Sequence, residues 1–550
     1  MKFAVILGLV ASLALLAPAV SSQQRARPEA IQTAPQLVVL VVIDQFTSSY
    51  IDLYSSQWTH GLRRLLDQGA VFRNAAYPYG NTVTCPGHTT IGTGAFPATH
   101  GLVGNSWYDR DLDQTVTCES DPSVTPVVIG TGTATGRHSA RLMRVPTFAD
   151  ELRRQATRQP NIVSIAEKPR SAIGMVGHGG PGTVVIWEGA SGAWSSSTAY
   201  TETAWTDAAA FARRHPITEA YGDVWTKLLP ESRYQFTDDN PAEAKPTPWG
   251  RTFPHSLQSP NGPDDPAFLT TWQRSPWADA FVTDLAIHLL RSRRLGSQPG
   301  TDMLAISLGS LDVTGHQYGP HSHEVQDVLA RADQNIGRLL DALDKEVGTG
   351  NYVLALSADH GVTRIPEDLV ADGEPGGRFS SLSALAEQLL LWTLGPGKKV
   401  GLADGAQLSL TKQAMAALKA NPAAEEQFVT VLMSAPGTAK VFRTADLANT
   451  AATSDPDLSA WRLSYVPGRT GDYVVVPKPG YYFGATGTGH GSQNESDQRV
   501  PLVLFGRNVR AGHYVDPVTP ADIAPTFASL TGVALPTAQG RVLKEALIVR

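Results

Sequence analysis

Apolar residues in this chain gather into short, unbroken, largely β-branched runs rather than alternating with polar ones. Leu37 to Ile43 is the clearest; Ile162 to Ala166, Thr183 to Trp187, Met303 to Leu308, Tyr352 to Leu356, Tyr473 to Val476 and Val500 to Phe505 are similar. Such runs suit strands covered on both faces, as in a parallel sheet. Between them lie stretches with helical spacing: Thr147 to Arg158, Trp277 to Arg294, Glu324 to Val347 and Ser381 to Thr393. Strands alternating with helices predict an α/β sandwich whose functional residues collect at the carboxyl ends of the strands. Near the C-terminus, Val518 to Pro536 reads as a capped helix. Thr519 stands at the N-cap, Pro520 at the first helical position and Asp522 where it closes a capping box; Pro525 bends or shortens the helix and Gly532 ends it.

The alternation fails in two places. Ser191 to Pro276 is rich in Trp, Pro, Asp and Ser, and Lys398 to Arg469 is Ala-rich and helical around Thr411 to Ala420 before the short run Ala439 to Phe442. Both read as cap insertions, which leaves a core expected over 36–190, 277–397 and 470–550. The first 23 residues read as an export signal: Lys2, an apolar stretch from Phe3 to Leu16, then Ala17-Pro18-Ala19 or Val20-Ser21-Ser22 as the cleavage site. That stretch is short for a span of ~20 residues, and no other segment approaches that length. A periplasmic or secreted protein with no membrane span after cleavage is therefore expected. A net charge of −6 offers no basic field for nucleic acid or anionic lipid, and a monomer is expected. Cys85 and Cys118 are the only cysteines; a disulfide and a buried thiol at Cys85 both remain open.

Six residues of metal-ligand type stand where predicted strands end or in the loops after them: Asp44, Asp312, His316, Asp359, His360 and His490. Five lie in Gly-containing motifs, LDVTGHQYGP, SADHG and GTGHGS. Carboxylate oxygens with imidazole nitrogens suit zinc, and six such ligands suffice for two ions. Two ions about 4 Å apart clamp a phosphoryl group. In NTVTCPGHTTIGTG, Thr84 precedes a segment that turns into a helix. A hydroxyl at a helix N-terminus beside a metal is a candidate nucleophile; read alone, the motif is that of an ordinary N-cap threonine. His88, His321 and His323 read as structural groups.

VVLVVIDQ with Asp44, NTVTCPGH with Thr84, FPATHGLVGN to Asn105, DVTGHQYGP, SADHG, GTGHGS and DIAPTFASLTG together resemble the alkaline phosphatase superfamily. Within it the chain is similar to the nucleotide pyrophosphatase/phosphodiesterase-like branch, in which a Thr replaces the usual Ser nucleophile. The resemblance runs from about residue 36 to 540, outside the two insertions. It implies a three-layer α/β/α sandwich with a mostly parallel central sheet and two caps. One zinc would take Asp312, His316 and His490, and the other Asp44, Thr84, Asp359 and His360. Asn105 with Lys168 and Arg170 of Glu167-Lys168-Pro169-Arg170 resembles the substrate-binding set of threonine-dependent, phosphate-irrepressible bacterial alkaline phosphatases. A monoester's extra phosphoryl charge calls for such cations, and on an extended segment the Lys and Arg would share a face. The resemblance thus implies a broad phosphate monoesterase acting on small phosphate esters through a phosphothreonine on Thr84. A phosphodiesterase or nucleotide pyrophosphatase, a phosphonate hydrolase, and a periplasmic binding protein without turnover are the competing readings. The motifs show no Ser-borne third, magnesium site.

Overall fold

The computed structural model describes residues 34–548 apart from 189–191, 247 and 380. The export signal read over the first 23 residues lies outside them. Ten strands form one sheet, in the order Gly512–Tyr514, Ala70–Phe72, Leu502–Gly506, Tyr352–Ser357, Leu37–Ile43, Asp302–Leu308, Ile162–Ala166, Thr183–Glu188, Trp194–Ser197, Pro126–Val128. The five from Tyr352–Ser357 to Thr183–Glu188 are parallel throughout, and the pairings that flank them on both sides are antiparallel. Leu37–Ile43 sits at the middle, paired on both edges. Every residue of it is 0–1 % exposed, which is why its sequence is apolar at each position.

Side chains of that strand divide between two cores. Leu37, Val39, Val41 and Ile43 join one cluster and Val38, Leu40 and Val42 the other, as the period of two requires. The first core is covered by helices Gly61–Gln68, Pro276–Ser292 and His323–Leu343. The second is covered by Thr84–Thr93, Phe148–Gln155, Pro169–Val176 and Ile523–Thr531. The result is the mostly parallel, three-layer α/β/α sandwich that the motifs imply. The C-terminal segment is partly as read: Thr519 N donates to Asp522 Oδ2 at 3.0 Å, one half of the capping box, while Asp522 N donates to the Thr519 carbonyl instead of its hydroxyl; Pro520 opens a short 3₁₀ turn, and Gly532 ends the following helix with φ +71°.

Three local readings change. DVTGHQYGP is largely helix, Ser310–Tyr318, rather than loop. Lys168 and Arg170 do not share an extended segment; Pro169 starts the helix Pro169–Val176, so Lys168 is its N-cap and Arg170 lies in its first turn. The run Tyr473 to Val476 belongs to a separate four-stranded sheet, ordered Val400–Asp404, Gln407–Leu410, Tyr473–Pro477, Thr438–Arg443. That sheet packs against helices Leu382–Leu394, Lys412–Lys419 and Pro422–Ser434 in its own apolar core. Conversely, Trp194–Ser197, inside the span read as the first cap, pairs with Thr183–Glu188 in the large sheet. Among the described residues, no helix is long and apolar enough to cross a membrane.

Candidate active site

Four neighbouring parallel strands deliver the polar cluster from their carboxyl ends. Asp44 follows Leu37–Ile43, Asp359 and His360 follow Tyr352–Ser357, and Lys168 follows Ile162–Ala166. The helix Ser310–Tyr318 begins just past Asp302–Leu308 and carries Asp312 and His316 four residues apart, on one face. His490 comes from the loop after Tyr481–Phe483.

These side chains converge in two overlapping groups. Donor atoms of Asp312, His316 and His490 lie within 4.8 Å of one another, as do those of Asp44, Asp312 and His360. Asp359 adjoins the second group, its Oδ2 being 3.2 Å from His360 Nε2. The rings of His360 and His490 stack with centroids 3.4 Å apart. Asp44, Asp359 and His360 are fully buried, and among the described residues Asp44 Oδ1, Asp359 Oδ2 and His360 Nε2 form no well-directed hydrogen bond, only the close contacts among themselves and with His88. Buried orphan donors of this kind are costly unless something fills their lone pairs. Three carboxylates with three imidazoles are the donor chemistry of a divalent transition metal, so a metal cofactor fits the site. The second nitrogens are engaged as metal ligands require: His316 Nδ1 lies 2.8 Å from Thr488 O, His490 Nδ1 2.8 Å from Thr82 O and His360 Nδ1 3.0 Å from Gly361 O.

Crowding shows in the protonation balance. Burial, with Asp312 and Asp359 nearby, pushes Asp44 up to about 7. Burial and the adjacent His360 push His490 down to about 4. For His360 burial acts downward, yet the Asp359 carboxylate wins and lifts it to about 9. Lys168 Nζ bridges Asp44 Oδ2 at 2.7 Å and Asp312 Oδ2 at 2.5 Å. Burial opposes the charge on that ammonium, but the two carboxylates outweigh it and raise its pKa.

Thr84 is the first residue of helix Thr84–Thr93, whose N-cap is Val83. Its hydroxyl therefore does not cap the helix, and among the described residues it makes no hydrogen bond. The chain around it is tied to both groups. Two residues earlier, Thr82 O accepts from His490. Four residues later, His88 Nδ1 lies 3.0 Å from Thr84 O and 3.2 Å from Asp359 Oδ2, while its Nε2 meets Ser307 Oγ at 2.8 Å. His88 is thus a structural group that reaches a candidate ligand, a contact that motif reading alone did not reveal. His321 stacks on Phe236 and His323 faces Asp238, both away from the cluster.

Cys85 and Cys118 are bridged. The bridge grips Asn105: Cys85 N donates to Asn105 Oδ1 at 2.9 Å, and Cys118 N donates to Asn105 O at 3.0 Å. With its oxygen engaged, the Asn105 amide presents Nδ2 as a free donor. Helices Thr84–Thr93 and Pro169–Val176 pack closely; a Cβ on Gly92 would collide with Gly174 O. Arg170, in the first turn of the second helix, lies within electrostatic reach of Lys168. Arg170 is half-buried, and its Nε is buried without a hydrogen-bond partner. The four-stranded sheet adds Asp404, which accepts from Ser106 Oγ at 3.2 Å and interacts electrostatically with Arg170.

Residues 38–499 match the model of the type I phosphodiesterase / nucleotide pyrophosphatase family. Over 526 residues the chain is 30 % identical to alkaline phosphatase PafA of Elizabethkingia meningoseptica, covering 93 % of this chain and 94 % of that relative. Over 527 residues it is 30 % identical to alkaline phosphatase PhoV of Synechococcus elongatus, covering 93 % of each. The crystal structure of wild-type PafA superposes with a TM-score of 0.86 at 28 % identity, covering 94 % of this chain and 100 % of that one. The chain belongs to the type I phosphodiesterase / nucleotide pyrophosphatase family. It is an enzyme, a hydrolase, with alkaline phosphatases among its relatives.

Proposed function

We propose that this protein is an exported two-zinc alkaline phosphatase that hydrolyses phosphate monoesters through a phosphothreonine on Thr84. The observation that carries the reading is the unengaged Thr84 hydroxyl, bracketed by Thr82 and His88, each bonded to a ligand of a different group. Asp312, His316 and His490 hold one ion; Asp44, Asp359 and His360 with Thr84 hold the other. Bound zinc supplies Lewis acidity, which favours the Thr84 alkoxide and offsets charge on the departing oxygen. Thr84 Oγ1 attacks phosphorus, the phosphorus–oxygen bond to the alcohol breaks, and water later cleaves the phosphothreonine to free inorganic phosphate. Asn105 Nδ2, Lys168 Nζ and the Arg170 guanidinium hold the non-bridging oxygens. A solved PafA variant changes one threonine, one asparagine, one lysine and one arginine, the last two separated by one residue; the same residue types are proposed here. Export rests on the signal read in the first 23 residues.

A second reading, phosphodiester or pyrophosphate hydrolysis, draws on the family's own description. Arg170, which makes no hydrogen bond among the described residues, favours with Lys168 the monoester, whose phosphoryl group carries one more negative charge. Chromogenic monoester, diester and phosphonate substrates separate the readings. The monoester should show the highest kcat/KM; a diester or phosphonate turned over more efficiently would overturn the assignment.

A further inference from the structure

We propose that Gln45 is a positioning residue that sets the carboxylates of both metal groups, an inference that rests on the two-metal reading above. Gln45 follows Asp44 directly and is 0 % exposed. Its φ is +66°, a backbone conformation that residues with a side chain rarely adopt. Glycine fits there without strain, so the side chain has to explain the choice of residue. Its backbone N–H donates to Asp359 Oδ1 at 3.1 Å, and its Nε2 donates to Asp312 Oδ1 at 2.8 Å. One residue therefore touches a carboxylate of each group while its neighbour supplies a third.

The amide has one workable orientation. A carboxylate only accepts, so the nitrogen must face Asp312. That sends Oε1 toward Gly315, where a Cβ would collide with it, and leaves Oε1 buried without a partner. The glycine between Asp312 and His316 thus makes room for this amide. The backbone N–H has an equally specific effect. Asp359 Oδ1 accepts from Gln45 N and from His360 N at 3.1 Å each, which leaves Oδ2 turned toward His360 Nε2. At Asp312 the amide shares Oδ1 with His316 Nε2 at 3.2 Å and His490 Nε2 at 3.6 Å, while Lys168 Nζ takes Oδ2; the amide thus holds in place the oxygen that faces those two imidazoles.

Gln45→Gly keeps the backbone donor, suits the positive φ and deletes the amide. On metal-free protein, competition titration against a chromophoric zinc chelator should show the ion at Asp312, His316 and His490 bound about 10–100-fold more weakly. The other ion should be weakened less, because the backbone N–H to Asp359 remains. Gly315→Ala, which pushes the amide from its far side, should weaken the same ion and carries the test alone if Gln45→Gly does not fold. Unchanged zinc affinities, equal weakening of both ions, or a lowered metal-free midpoint with intact affinities would overturn the positioning role while leaving the two-metal reading in place. A wild-type protein that binds fewer than two ions would overturn both.

Discussion

Thr84 concentrates the chemical claim in one hydroxyl. Thr84→Ala should abolish turnover of a phosphate monoester, whereas Thr84→Ser should keep measurable activity because the hydroxyl survives without its methyl group. Steady-state assays of both purified variants check this, and an active Thr84→Ala enzyme would refute it. Lys168 and Arg170 act at the same scale but on charge. Replacing both with Ala removes two cations from the phosphoryl site, and loss of a preorganised donor costs ~10²–10³ in rate. Monoester turnover should fall by at least that much and diester turnover far less. Equal losses on the two substrates would assign the pair to the metal cluster, where Lys168 already bridges Asp44 and Asp312. Most of these residues were legible in sequence because they sit in short motifs after apolar runs. Gln45 was not: its importance comes from a positive φ and from partners 267 and 314 residues away.

Between residue and fold, the elements decide which motif residues meet. The buried strands announced themselves through continuous apolar runs, and the C-terminal helix through its cap chemistry. DVTGHQYGP did not read as helix, because nine residues containing a glycine show too little period. The helix nevertheless puts Asp312 and His316 on one face. Likewise Pro169, at a position favourable for starting a helix, turned an apparent extended dipeptide spacing into a helix N-terminus. The Cys85–Cys118 bridge is also a matter of elements, since it ties helix Thr84–Thr93 to the hairpin Ser106–Asp109/Gln114–Thr117 and holds Asn105 between them. It closes a loop with a sequence separation of 33, for which chain entropy predicts about 3–4 kcal/mol. The double variant Cys85→Ala, Cys118→Ala should lose about that much in urea unfolding and turn over monoester more slowly as Asn105 loosens. An unchanged unfolding midpoint would contradict this account of the bridge.

At the scale of the whole molecule, the ends of the central parallel strands and the loop after Tyr481–Phe483 gather ligands from segments spread between residues 44 and 490, and the four-stranded sheet brings Asp404 within electrostatic reach of Arg170. The cap's strand order was illegible because it joins strands from residue 400 to 477 out of sequence order; long-range pairing leaves no local periodicity. The outcome of that gathering is clearer: three carboxylates and three imidazoles meet in two overlapping groups that could hold metal, several of their atoms buried without hydrogen-bond partners among the described residues. The most direct test is therefore to strip the protein with a chelator, restore zinc in measured steps and follow monoester turnover and elemental content together. Activity should vanish on stripping and return in full as the content reaches two zinc ions per chain. Fully active enzyme carrying less than one transition-metal ion per chain would contradict the account.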